Sequence, residues 1–411
     1  MIPLVKSTFY REEETKARLW AFLRTAKHLS FGPECERFEA SFARYQGRAH
    51  CVFVNSGSAA NLALIQVLLN LGILRRGDRV GFSVVTWSTN VMPLIQLGLR
   101  AVPIDVELDT LNVSSRTLRA TLDRVPLKAV FLTHLLGFCD DPDAIAALCA
   151  SEKIVLLEDA CEALGTVYQG KKLGNLGLAS TFSFYVGHHL STIEGGAVCT
   201  DDEAFATMLR IVRAHGWDRN LSARQRGAMR RKFRLNSEFE SRYTFYALGF
   251  NLRPTEIAGF LGNAQLEHVG EILRRRHANF VRLGPPIYAR ADAYVPLRYD
   301  HIDFLSNFAV PVVCRSRERR DALVAQCAGR IELRPILGGD VTQQPFFRTH
   351  MSEYADILGA SNARLINEQG LYFGNNPDHT DADIEEILSV FAPAPAPVEA
   401  GARASIAAAR P

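Results

Sequence analysis

The chain has no excess of charge of either sign. Its 47 Lys and Arg face 44 Asp and Glu, a net charge of +3 at neutral pH. That balance argues against a dedicated nucleic-acid or membrane-surface protein, since both need a field of one sign. No uninterrupted apolar run is long enough to cross a bilayer. The opening Met1-Ile2-Pro3-Leu4-Val5-Lys6 carries no apolar signal core. A cytoplasmic protein is therefore expected. Cysteines are present but never grouped: Cys35, Cys51, Cys139, Cys149, Cys161, Cys199, Cys314 and Cys327 form no CxxC pair and no tight cluster. They are read as buried, reduced thiols, with no metal site. There is no internal repeat.

What is present is a large apolar content, 47% of 411 residues, enough for one large core and a smaller second unit. Glu12 to Lys27 and Glu34 to Tyr45 have helical apolar spacing, the latter through Phe38, Phe42 and Tyr45. From Cys51 onward, short apolar strands alternate with helices. Strands are expected at 51–54, 79–85, 101–104, 129–133 and 154–158, with helices at 59–71, 114–122 and 143–151. This alternation predicts an α/β fold with a mostly parallel sheet covered on both faces. Beyond about residue 197 the pattern changes. Asp202 to His215 is read as a helix, and Asp218 to Arg242 as a polar, basic stretch. Pro254 to Val269 is read as a helix with proline in its first turn, and Glu271 to Leu283 as a linking helix. The expected organisation is a large domain over 1–270, a smaller C-terminal α/β domain over 271–391, and a disordered Ala/Pro-rich tail over 392–411.

Several segments could carry chemistry. Asn55-Ser56-Gly57-Ser58-Ala59-Ala60-Asn61 joins a strand to a helix. The helix N-terminus, Gly57 and the Ser58 hydroxyl make a sound phosphate cradle, although taken alone the segment reads more readily as a plain helix cap. Leu156 to Glu162 places Asp159 at the end of a buried strand, where ligands bind in doubly wound sheets. A carboxylate there can pair with a protonated pyridine nitrogen, or simply cap a loop. Trp87, after another strand, can stack on a flat cofactor or pack against the core. His188 and His189 are adjacent and point in different directions, so at most one of them is catalytic.

Taken in order, these segments resemble the DegT/DnrJ-type sugar aminotransferases, a branch of the fold-type I, aspartate aminotransferase-like enzymes dependent on pyridoxal 5′-phosphate (PLP). The matching stretches are Gly32-Pro33-Glu34 to Phe38-Glu39, Asn55 to Asn61, Pro103-Ile104-Asp105, Glu158-Asp159-Ala160, Ser183-Phe184, Glu194-Gly195-Gly196 and Gly249 to Glu256. The resemblance implies that Asp159 binds the pyridine nitrogen, Trp87 stacks on the ring, and Gly57, Ser58 and Ser183 hold the phosphate. It implies that Asn251 reaches the phosphate of a neighbouring subunit, and hence a homodimer with shared sites.

Where that family has its imine-forming lysine, this chain has His188. An imidazole forms no stable imine but moves protons near neutral pH. The pattern resembles the PLP-dependent 3-dehydratases of nucleotide sugars. Glu162, His188-His189, Arg334-Pro335, Gln343-Gln344-Pro345 and Gly374-Asn375-Asn376-Pro377 carry that likeness. No cysteine lies between Cys199 and Cys314, which points to the branch without an iron–sulfur cluster, the one that serves colitose synthesis. The implied function is therefore a PLP or pyridoxamine 5′-phosphate (PMP) dependent dehydration of a nucleotide-diphosphate sugar, GDP-4-keto-6-deoxymannose. Glutamate is the implied amino donor, and a 3,6-dideoxy-4-keto sugar and ammonia are the implied products. His188 is the implied base and acid. Glu162 is placed with the cofactor, and His215, Arg219, Arg334 and Asn375 with the substrate. Lys171 and Lys172 are not expected to replace the missing lysine. A sugar aminotransferase variant and a non-catalytic PLP-fold binding protein are the alternatives.

Overall fold

The computed structural model describes residues 1–6, 8–358 and 361–393. Residues 394–411, most of the expected tail, lie outside the described residues. A seven-stranded sheet forms the larger layer. Its strands are β1 (His50–Val54), β2 (Arg79–Ser83), β3 (Arg100–Ile104), β4 (Ala129–Thr133), β5 (Val155–Asp159), β8 (Ala179–Ser183) and β9 (Gly196–Thr200), in the order β1-β9-β8-β5-β4-β2-β3. β6 (Val167–Tyr168) and β7 (Lys171–Lys172) form a separate short hairpin. The run from β8 through β5, β4 and β2 to β3 is parallel, whereas β9 is antiparallel to both of its neighbours. The expected mostly parallel α/β sheet is present, with one reversed strand that apolar alternation gave no means to see.

Helices α1 (Glu12–Thr25), α2 (Pro33–Gln46), α3 (Gly57–Asn70), α4 (Ser88–Gln96), α5 (Ser115–Leu122), α6 (Pro142–Ser151) and α7 (Glu203–Arg213) precede or cover this sheet. Helix α4 was not foreseen, because Pro93 lies inside it and reads as a breaker. The basic stretch after Asp218 holds α8 (Ala223–Lys232) and α9 (Glu238–Ser241). Helix α10 (Glu256–Leu266) starts later than expected: Thr255 is its cap, accepting from Ala258 N–H, and Pro254 lies outside it. Helix α11 (Val269–Tyr288) leads to a three-stranded antiparallel sheet of β10 (Ala309–Val313), β11 (Leu333–Arg334) and β12 (Gly370–Gly374). The first residues, grouped by sequence with the large domain, run along this smaller sheet. Ile2 bridges Ile331, and Leu4 N–H donates to Glu332.

Two features of the large core position the site. Phe38 and Phe42, one turn apart on α2, share a face. Phe38 meets Phe53 and Phe184 edge-on at 4.8 and 5.1 Å between centroids, and Phe42 meets Phe182 at 5.2 Å. This wedge brackets Ser183 at the end of β8. The second is an ion pair between Arg213 and Glu39. Arg213 is fully buried and donates to Glu39 and to the carbonyl of Phe53, while Phe53 N–H donates to Glu39. The pair thus fixes the end of β1 just before the Asn55–Ser58 turn.

Removing one partner of a buried pair strands the other charge. Glu39→Ala is expected to lower the unfolding free energy by ~3–5 kcal/mol, read from urea denaturation midpoints at constant slope.

Candidate active site

The C-terminal ends of the parallel strands open into a cavity of about 340 Å³, the crevice expected of a doubly wound sheet. Strand alternation decides which acid faces it. Glu158 and Asp159 are consecutive on β5 and so point to opposite faces. Glu158 turns away from the cavity, accepting from His134 and from the N–H groups of Gly174, Leu176 and Gly177. Asp159 lines the cavity and is buried. Its Oδ2 accepts from the amides of Asn61 and Asn90, and its Oδ1 from Cys161 N–H.

Glu162, also at the cavity wall, accepts one hydrogen bond, from Leu136 N–H. Burial pushes its carboxyl up to about 8, helped by the charge of Asp159 and opposed by that one bond. The two acids are thus set for different tasks: Asp159 is gripped by three donors, and Glu162 is protonated at neutral pH.

The Asn55–Ser58 turn opens α3, with Ser56 as the cap that accepts from Ala59 N–H. Gly57 and Ser58 therefore fall in the first turn, where backbone N–H groups have no intrahelical acceptor, and both line the cavity. The turn is closely fitted. A Cβ on Gly57 would come within 2.7 Å of Ser183 Cβ, and one on Gly196 within 2.2 Å of Ser56 O. This is a cradle for a phosphate with backbone donors and two hydroxyls at hand. Trp87, which caps the start of α4, is 56% exposed and lines the same cavity.

His188 also lines it. Its Nδ1 lies 2.6 Å from the carbonyl of Cys161. A carbonyl only accepts, so Nδ1 carries the proton and Nε2 is the basic atom. Burial holds the imidazole below its ordinary value, outweighing the Cys161 bond and the charge of Asp159, which pull upward. His189 has a different part: it is buried with Nε2 on Ser306 O and is not at the cavity wall. Among the described residues, no lysine lines the cavity. Lys172 is spent on Tyr45, donating to its carbonyl and lying 3.9 Å from its ring centroid.

Of the residues named from sequence, Gly57, Ser58, Trp87, Asp159, Glu162, Ser183, His188 and Arg334 come together here. Arg334 is exposed and leans on Glu332, 3.1 Å away. His215 and Arg219 do not join them. They surround Trp217, Arg219 at 4.1 Å from the ring centroid and His215 edge-on at 5.3 Å. Asn251 is exposed and outside this cavity, bridged to Ala214. Asn375 does not join them either: it is fully buried outside the cavity lining, and its amide nitrogen donates to Arg276 O and Asn307 Oδ1. The residues that sequence reasoning missed are Asn90, two positions into a helix it did not foresee, and the carbonyl of Cys161, which no side-chain pattern encodes.

A model of the DegT/DnrJ/EryC1/StrS aminotransferase family matches residues 10–392. GDP-4-keto-6-deoxy-D-mannose 3-dehydratase of Escherichia coli O55:H7 is 30% identical over 406 residues, which cover 95% of this chain and 99% of that one. The same enzyme of Yersinia pseudotuberculosis is 30% identical over 398 residues, covering 95% and 98%. A crystal structure of GDP-4-keto-6-deoxymannose-3-dehydratase with a trapped PLP-glutamate geminal diamine superposes with a TM-score of 0.84 at 29% identity, over 95% of this chain and all of that one.

The raised Glu162 carboxyl gives a signed pH effect. The folded protein binds this proton more tightly than the unfolded chain. Its contribution is therefore fully present below about pH 4.5 and is lost as pH rises towards about 8. Glu162→Gln removes that dependence. Cofactor-free wild type and variant, unfolded in urea across this range, are expected to diverge by up to about 1.4 kcal/mol per pH unit, with the variant gaining as pH rises.

Proposed function

The chain belongs to the DegT/DnrJ/EryC1/StrS aminotransferase family, and within it we propose a PLP/PMP-dependent 3-dehydratase of a nucleotide-linked 4-keto-6-deoxy sugar. The proposed substrate is GDP-4-keto-6-deoxymannose and the amino donor glutamate. The observation that carries this reading is the half-buried imidazole of His188, in a cavity whose described lining has no lysine. When bound, PLP supplies an electron-accepting ring and a carrier for an amino group. The residues present fit it: a first-turn cradle that a Cβ would fill, a gripped carboxylate, and an exposed indole. Gly57, Ser58 and Ser183 would hold the phosphate, Asp159 would meet the ring nitrogen, and Trp87 would stack.

His188 is neutral at working pH because burial disfavours its charge. With Nδ1 committed to Cys161, it takes a proton at Nε2 and, once charged, can return one to the departing C3 hydroxyl. Lysine would give this position a covalent hold on the cofactor and a route to an amino sugar, and histidine gives neither. The reaction balances without a further reductant. Glutamate is oxidised to 2-oxoglutarate, the sugar loses its C3 oxygen as water and gains hydrogen there, and the nitrogen leaves as ammonia. The 3,6-dideoxy-4-keto product suits colitose synthesis for lipopolysaccharide O-antigen. Asn251, exposed and away from its own cavity, would reach the phosphate in a second copy, making the protein a homodimer with shared sites.

The test supplies purified protein with PLP, glutamate and GDP-4-keto-6-deoxymannose. Ammonia and a 3-deoxy sugar are the expected products, and a retained amino sugar, or no turnover, would overturn the dehydratase reading. His188→Asn is expected to lower turnover by ~10²–10⁴-fold while cofactor still binds.

A further inference from the structure

Asp159 is held by more than its strand. Oδ2 accepts from Asn61 Nδ2 at 3.1 Å and from Asn90 Nδ2 at 2.6 Å, and Oδ1 accepts from Cys161 N–H at 2.9 Å. The two amides come from different helices, α3 and α4, and each is 1% exposed. A carboxylate offers only acceptors, so both amides must turn their nitrogens towards it. For Asn61 this leaves Oδ1 buried without a hydrogen-bond partner in the protein. Both residues also line the cavity.

Donor number separates the two acids of this cavity. Glu162, three positions further on, has one backbone donor and is protonated at neutral pH. Asp159 accepts from three donors, two of them side-chain amides. Hydrogen bonds to a carboxylate favour its charged form and fix its plane. We propose that Asn61 and Asn90 are positioning residues for the reaction: they keep Asp159 an oriented anion, and through it keep the ring nitrogen of the bound cofactor protonated. This rests on the PLP reading above. The proton in question lies between Asp159 and that nitrogen. Removing a donor strengthens the carboxylate's hold on the proton and leaves the ring nitrogen neutral, which weakens the ring as an electron acceptor.

The test compares wild type with Asn61→Leu and Asn90→Leu, both close in size to the residues they replace. The absorbance of bound PLP is titrated between about pH 6 and pH 9, and kcat and KM are measured alongside. Wild type is expected to keep one spectrum across the range. Each variant is expected to show a pH-dependent band, with kcat lowered about 10- to 100-fold and KM for the sugar nucleotide little changed. Folded variants that bind PLP with the wild-type spectrum and kcat would overturn the proposal. A wild type that takes up no PLP would instead overturn the underlying reading. If the leucine variants do not fold, ring-nitrogen-labelled PLP on wild type and Asn90→Ser decides by NMR. A protonated nitrogen in wild type that is partly lost in the serine variant supports the clamp, and an identical signal in both overturns it.

Discussion

The site depends on a carboxyl group that is buried and met by three donors, at the last position of β5. Such a group is costly unless its lone pairs are met. Strand geometry sets up two of them side by side and sends them to opposite faces. Glu158 is answered by the β6–β7 hairpin region and His134, and Asp159 by two helices and a backbone N–H. One acid therefore closes the protein behind the sheet while its neighbour opens the chemistry in front. The loop after β5 continues the arrangement. Cys161 lends its N–H to Asp159 and its carbonyl to His188, so one residue's backbone orients both the acid and the base.

That shared backbone makes the histidine more than an absence of lysine. Its tautomer is fixed and its charge is suppressed by burial, the two conditions a neutral base needs. The environment sorts the groups of this cavity: Asp159 is gripped by three donors, burial raises the Glu162 carboxyl to about 8, and burial lowers the His188 imidazole. The state of Glu162 in particular is not the one its residue type alone would set.

Much of this was legible in the sequence, and the limits have physical causes. Apolar strands and helix-spaced phenylalanines announced the α/β sheet, and the segments of Gly57 and Ser58, of Asp159 and of His188 meet at one cavity. What the sequence could not convey is which partners a polar group finds. Asn375 looked available because its turn matched a pattern, yet it is fully buried and its amide nitrogen is taken by Arg276 and Asn307. Asn90 was hidden by Pro93, which disguised the helix that carries it. The Cys161 carbonyl has no signature at all, since every residue has one. His215 and Arg219 lie near one another in sequence and do meet, but around Trp217 rather than in the cavity.

The slot occupied by His188 also bears on how such an enzyme could arise. No single nucleotide change turns a lysine codon into a histidine codon. The one-step intermediates are asparagine and glutamine, whose amides neither bond covalently to an aldehyde nor take up a proton at neutral pH. In a pocket that holds its ring by one backbone carbonyl, such an amide would fill the space without the chemistry. The passage between amino transfer and dehydration therefore crosses a silent form. A lineage that has made it is not easily carried back by chance, and a duplicated gene, free to lose activity for a time, is the natural setting for the change.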